Sequence, residues 1–184
     1  MGKISTDWKT LSSKIDYKNK YWEIWKEEVL LPDGEQSTYY VRRKAPFSII
    51  IPLFGNKQVH LVKQFRYHVK AVSLEFPMGF VQGKNPRETA IQELEEEMGL
   101  HAGELEEIGW FWYGPGITDQ RCYIYLATDL SFGKPRPEKG EFFEYEDHTI
   151  EEIGKLIADR VILDGPTVTA YHYLEEYLKK NGNA

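Results

Sequence analysis

The chain has 184 residues, of which 23 are Lys or Arg and 29 are Asp or Glu, giving a formal net charge of −6 in a composition that is 41% hydrophobic and 28% charged. That length holds one domain with a full hydrophobic core, and the composition is too apolar for disorder. The longest strongly apolar run, Phe47 to Phe54, is far short of the roughly 20 residues that a membrane-spanning helix needs, and the acidic balance argues against nucleic acid or anionic lipid as a partner. The single cysteine, Cys122, cannot form an internal disulfide, and Met1 to Lys20 lacks the apolar centre of a signal peptide. A cytoplasmic setting is therefore expected.

No internal repeat or long linker interrupts the chain. The first twenty residues are polar with scattered apolar positions at Trp8, Leu11, Ile15 and Tyr17. Two β-prone runs follow, Tyr21 to Leu31 and Ser37 to Arg43, joined by Leu31-Pro32-Asp33-Gly34, where Pro presets φ and Gly accepts a positive φ, so a hairpin is expected. Ser48 to Leu53 reads as a buried strand and Gln58 to Gln64 as its partner. Leu74 to Gly83 is rich in Gly and Pro and reads as a loop. A helix then starts with Asn85 as cap, Pro86 at the first helical position and Glu88 completing a capping box, and Gly99 closes it. Glu107 to Tyr113 and Arg121 to Leu126 read as strands around the loop Gly114 to Asp119. A second helix is expected from Thr149 to about Val161, and a third over Thr167 to Lys180. The expected class is α+β, an α-β-α sandwich with a mixed sheet.

On the first helix, at about 100° per residue, Ala90, Ile91, Leu94 and Met98 share one arc and Glu93, Glu96 and Glu97 a neighbouring one, while Glu95 points away. Like charges at these spacings repel by a few tenths of a kcal/mol per pair, a cost that a divalent cation among the carboxylates removes. A solvated acidic face has the same spacing, so spacing leaves both readings open.

Gln92-Glu93-Leu94-Glu95-Glu96-Glu97-Met98-Gly99-Leu100 resembles the end of the Nudix box, the pyrophosphohydrolase motif GX5EX7REUXEEXGU. Leu74-Glu75-Phe76-Pro77-Met78-Gly79 is similar to the LExPAG lead-in of ADP-ribose pyrophosphatases, and Leu61 to Tyr67 to their LVxQYR strand. Gly114 to Asp119 resembles the PGxxxE loop of that subgroup, and the Leu31 to Gly34 turn with its flanking strands resembles the subgroup's N-terminal hairpin. The resemblance implies a Nudix domain over residues 45–184 preceded by an N-terminal antiparallel β extension over residues 1–44, which would make a homodimer. It implies hydrolysis of the pyrophosphate bond of a nucleoside diphosphate linked to another moiety, ADP-ribose first, to AMP and ribose 5-phosphate. Nucleotide sugars or dinucleotides, and a nucleotide-binding domain without catalysis, are the alternatives.

Residue by residue, the resemblance implies that Glu93 and Glu97 bind Mg2+ or Mn2+, that Glu96 assists, and that the Met78 backbone carbonyl completes the shell. Arg66, Glu75, Pro115 and Gly116 would contact substrate. Glu141, in a stretch resembling the family's PEDExIEV segment, is the first candidate for general base, before Glu138 and Glu144; the catalytic set is thus Glu96, Glu97 and Glu141. The box also departs from its pattern. Lys84 stands where the first Glu belongs, Gln92 replaces the Arg, the Gly79 to Lys84 interval is one residue short, and Gln120 follows the Pro-Gly loop where an acid is common. A neutral Gln donates hydrogen bonds without charge or a bidentate fork, so reduced or altered catalysis is expected.

Overall fold

The computed structural model describes residues 4–55, 57–83, 85–137 and 139–182, so Lys84 and Glu138, on which two expectations fall, lie outside the described residues. The chain divides into two compact units, one holding the chain through Ala45 together with Trp112–Arg121, the other Pro46–Phe111 with Cys122 onward.

The first unit is a three-stranded antiparallel sheet of β1 (Lys9–Lys18), β2 (Glu23–Leu30) and β3 (Gln36–Arg43). The expected hairpin is β2–β3: Gly34 adopts φ 89° and its N–H donates to the Leu31 carbonyl at 3.0 Å. β1 was not foreseen, because irregularities at Thr10/Ser12 and Ile15/Tyr17 break the period of two that marks a strand. In the same unit, Ile117 and Thr118 donate to the Gly114 carbonyl in a tight turn, and Arg42 N–H donates to the Ile117 carbonyl.

The second unit is built on a mixed sheet in the order β7 (Met78–Phe80), β4 (Phe47–Pro52), β9 (Arg121–Phe132) and β8 (Leu100–Trp112). β4 runs parallel to β9 and antiparallel to β7. All six residues of β4 are buried, as a strand covered on both faces requires. Phe47, Ile49 and Ile51, with Cys122, Ile124 and Leu126, pack toward α2 (Ile150–Ala158) and α3 (Gly165–Lys180). Ile50, Tyr125 and Ala127 pack with Ala90, Leu94 and Met98 of α1 (Pro86–Met98). Helices thus cover both faces, as the sandwich reading expects. A second sheet sets β5 (Gln58–Arg66) between β6 (Ala71–Glu75) and β10 (Glu144–Thr149).

Three expectations are corrected. The segment read as a loop, Leu74 to Gly83, contains the end of β6 and all of β7, because pairing of Met78 with Ile49 and Gly79 with Ser48 overrides the local Gly and Pro preference. Strands β8 and β9 are longer than read: their additional segments mix buried Leu100 and Ala127 with exposed polar residues such as His101, Glu104 and Asp129, and show no sustained alternation. α2 stops at Ala158, where Arg160 takes φ 60° and Val161 N–H turns back to the Leu156 carbonyl.

Candidate active site

The second unit directs its carboxylates from α1. Asn85 accepts from Glu88 N–H while Glu88 reaches back to Asn85 N–H, and Gly99 takes φ 64° at the other end. Ser48 Oγ donates to the Pro86 carbonyl at 2.7 Å, tying the helix start to β4. With Ala90, Leu94 and Met98 buried, the helix cannot rotate, and the acidic arc has a fixed direction.

Glu97 is only 6% exposed, and its Oε2 is buried with no hydrogen-bond partner. Burial pushes its carboxyl well above the usual range, and the neighbouring charges of Glu93 and Glu141 push it further. A backbone hydrogen bond from Met78 and the charge of Arg66 pull it partly back. Glu93 lies against Gly79 so closely that a Cβ there would stand 1.9 Å from its carboxylate carbon. Glu96 accepts from Gln92 Nε2 through both oxygens at 3.0 Å, so the neutral Gln supplies the contact expected of it. The trio is therefore less convergent than its spacing suggested: among the described residues no three of His, Cys, Asp and Glu are grouped to hold a metal ion. The charge of Glu93 acts on Glu97, and Glu96 is occupied by Gln92.

Arg66 and Glu75, read separately as substrate contacts, form a bidentate pair: Arg66 Nε donates to Oε1 at 2.9 Å, and Nη2 donates to Oε2. Glu75 is buried, whereas the Arg66 side chain keeps 42% exposure and retains N–H groups beyond the pair. The charge of Asp164, the cap of α3, acts on Arg66, and burial and the charge of Glu75 raise the Asp164 carboxyl. Asp164 also accepts from Thr167 N–H and Oγ1, and Thr167 Oγ1 in turn accepts the Phe76 N–H at 3.1 Å. This chain of bonds anchors Phe76-Pro77-Met78 to α3. Neither Asp164 nor Thr167 stood out in the sequence, where Asp-Gly-Pro-Thr reads only as a helix start.

Of the candidate bases, Glu141 is near enough for its charge to raise the Glu97 carboxyl, whereas Glu144 pairs with Lys63 at 3.7 Å. Pro115 and Gly116 belong to the first unit, in the turn closed by Gly114, where Gln120 Nε2 donates to the Ala45 carbonyl at 2.6 Å. Trp110, Trp112 and Tyr113 are exposed rather than part of a core.

The buried Oε2 of Glu97 has no hydrogen-bond partner, and its carboxyl feels the charges of Glu93 and Glu141. Although no three acids among the described residues are grouped around it, an orphaned hard oxygen in acidic surroundings is one that a divalent cation would satisfy. The family model described as NUDIX domain matches residues 44–170, and the chain belongs to that family. It is 30% identical to an ADP-ribose pyrophosphatase of Bacillus subtilis over 174 residues, covering 93% of this chain and 94% of that one. It is 28% identical to a methanol dehydrogenase activator of Bacillus methanolicus over 95% of this chain and 96% of the relative. An ADP-sugar pyrophosphatase of Mus musculus is 38% identical over 52% of this chain and 49% of its own. A solved structure described as an ADP compounds hydrolase superposes over the whole of both chains with a TM-score of 0.87 at 18% identity, a likeness of fold.

Proposed function

We propose that the protein is a divalent-metal-dependent pyrophosphohydrolase that cleaves ADP-ribose to AMP and ribose 5-phosphate. The observation that carries this reading is the buried Glu97, whose Oε2 has no hydrogen-bond partner and whose carboxyl feels the charges of Glu93 and Glu141. Family membership and the ADP-ribose pyrophosphatase relative support it. Glu93 and Glu97 would hold Mg2+ or Mn2+, with the Met78 carbonyl and Glu96 assisting. A cation bound there would neutralise pyrophosphate charge and acidify water.

The chain's own residues supply the rest. Arg66, held in place by Glu75, has N–H groups left to donate to a phosphate oxygen. Glu141 is proposed as the base that takes a proton from the attacking water, and Gln92 fixes Glu96. Hydrolysis adds one water across the P–O–P bridge, the hydroxide going to one phosphorus and the proton to the leaving phosphate. ADP-sugars are the second substrate class, favoured by the mouse relative.

Incubating the protein with ADP-ribose, ADP-glucose and a dinucleotide in Mg2+ or Mn2+ should release AMP, fastest from ADP-ribose. Retained ADP-ribose binding with no AMP at high enzyme concentration would leave a binding domain in place of a hydrolase. The exposed Trp8, Leu11, Ile15 and Tyr17 on the first unit support a homodimer, which light scattering should show at micromolar concentration. A cytoplasmic setting completes the proposal; no described helix is long and apolar enough to cross a membrane.

A further inference from the structure

We propose that Tyr145 is a positioning residue for the metal-ligating turn of α1, an inference that rests on the metal reading of Glu97. The last carbonyls of a helix have no partner within it and must find donors elsewhere. Here Gly99 N–H serves Glu95 and Leu94. The next two carbonyls, those of Glu96 and Glu97 themselves, are taken by Arg136 N–H at 2.8 Å and by the Tyr145 hydroxyl. These two donors bracket the segment that carries Glu141, so the turn bearing the acidic residues is fastened at both ends of that segment.

The hydroxyl is itself aimed. The Tyr145 ring lies flat on His60, with centroids 5.4 Å apart and planes 11° apart, and His60 Nδ1 contacts Asp147 Oδ1 at 2.5 Å, directly across the β5–β10 ladder. Tyr145 and Asp147 share one face of β10, so strand, imidazole and phenol form a single support under the helix end. The choice of donor has a chemical reason. α1 has no basic residue in its last turn, although cations are the usual partners of C-terminal carbonyls. An ammonium there would compete with a metal for Glu97. A hydroxyl satisfies the carbonyl without bringing a charge.

The role predicts an effect on metal affinity as well as on turnover. Manganese titrated alone by calorimetry into the full-length protein should bind Tyr145→Phe about tenfold more weakly than wild type, the lower end of the loss from removing the support of a metal ligand. Because the ring and its stacking remain and only the Glu97 carbonyl loses its donor, the melting temperature should fall by no more than about 10 °C and the variant should stay folded. In turnover of ADP-ribose, kcat should fall about tenfold with KM nearly unchanged, the pattern of a displaced reacting group. His60→Ala, which keeps the hydroxyl and removes the surface beneath it, should weaken manganese about twofold and decides the matter if Tyr145→Phe does not fold. Manganese affinity equal to wild type in the folded variants overturns the role of Tyr145 alone. A wild-type protein that binds no manganese overturns the metal reading, and this inference with it.

Discussion

At Gly79 the side chain that is absent has the greatest effect. A methyl group there would occupy the space of the Glu93 carboxylate, the far end of a flexible side chain, so the fold can accommodate it by moving Glu93. Gly79→Ala should therefore cost little stability, with a melting temperature within about 3 °C of wild type, while turnover drops on the order of 100-fold as the carboxylate is displaced. Turnover within threefold of wild type would show that the position of Glu93 does not matter to the reaction. Gln92 presents the converse case. Its amide reaches both oxygens of Glu96, so the loss of the family's Arg removes charge from the contact while keeping the contact itself.

Among the elements, α1 and α3 divide the work. α1 carries the acids, and α3 holds the loop that meets them, through Asp164, Thr167 and the Phe76 N–H. Thr167 is fully buried, so Thr167→Val leaves the Phe76 N–H without an acceptor at nearly constant shape. Denaturant titration should register a loss of about 1–3 kcal/mol, the cost of an unsatisfied buried donor. A loss below a few tenths of a kcal/mol would mean that the loop does not depend on α3. Polar side chains pair across the β5–β10 ladder where the sequence shows only a polar stretch: Glu144 lies opposite Lys63, and Asp147 opposite His60.

For the molecule as a whole, the buried acid ties stability to pH and metal. Because the folded carboxyl of Glu97 is raised, the native state holds a proton that the unfolded chain releases above about pH 4.5. With fewer protons bound in the unfolded state, stability falls as pH rises from that value through the raised folded value. Metal-free Glu97→Gln should thus be more stable than wild type at about pH 8, with the gap closing toward about pH 4.5. Magnesium should raise the wild-type melting temperature at the higher pH and leave the variant unmoved, by about 2.7 kcal/mol of stability at a hundredfold excess over Kd. Scanning fluorimetry across pH checks both, and equal wild-type and variant curves would remove Glu97 from the metal site.

What the sequence determined by itself was what local chemistry dictates. The capping box of α1, the start of α2 at Thr149, the Pro-Asp-Gly turn and the buried β4 are properties of a few adjacent residues, and each stands within a residue of where it was read. The acidic arc on α1 was legible for the same reason, since helical spacing alone sets it. Tertiary structure decided which acids act together, because that depends on what packs against the helix. Gly79 admits Glu93, Gln92 occupies Glu96, and burial beside Met78 leaves Glu97 with an unpartnered oxygen. It also joined Arg66 to Glu75 and brought Tyr145 and Thr167 to the site from distant parts of the chain, by contacts that no local pattern encodes.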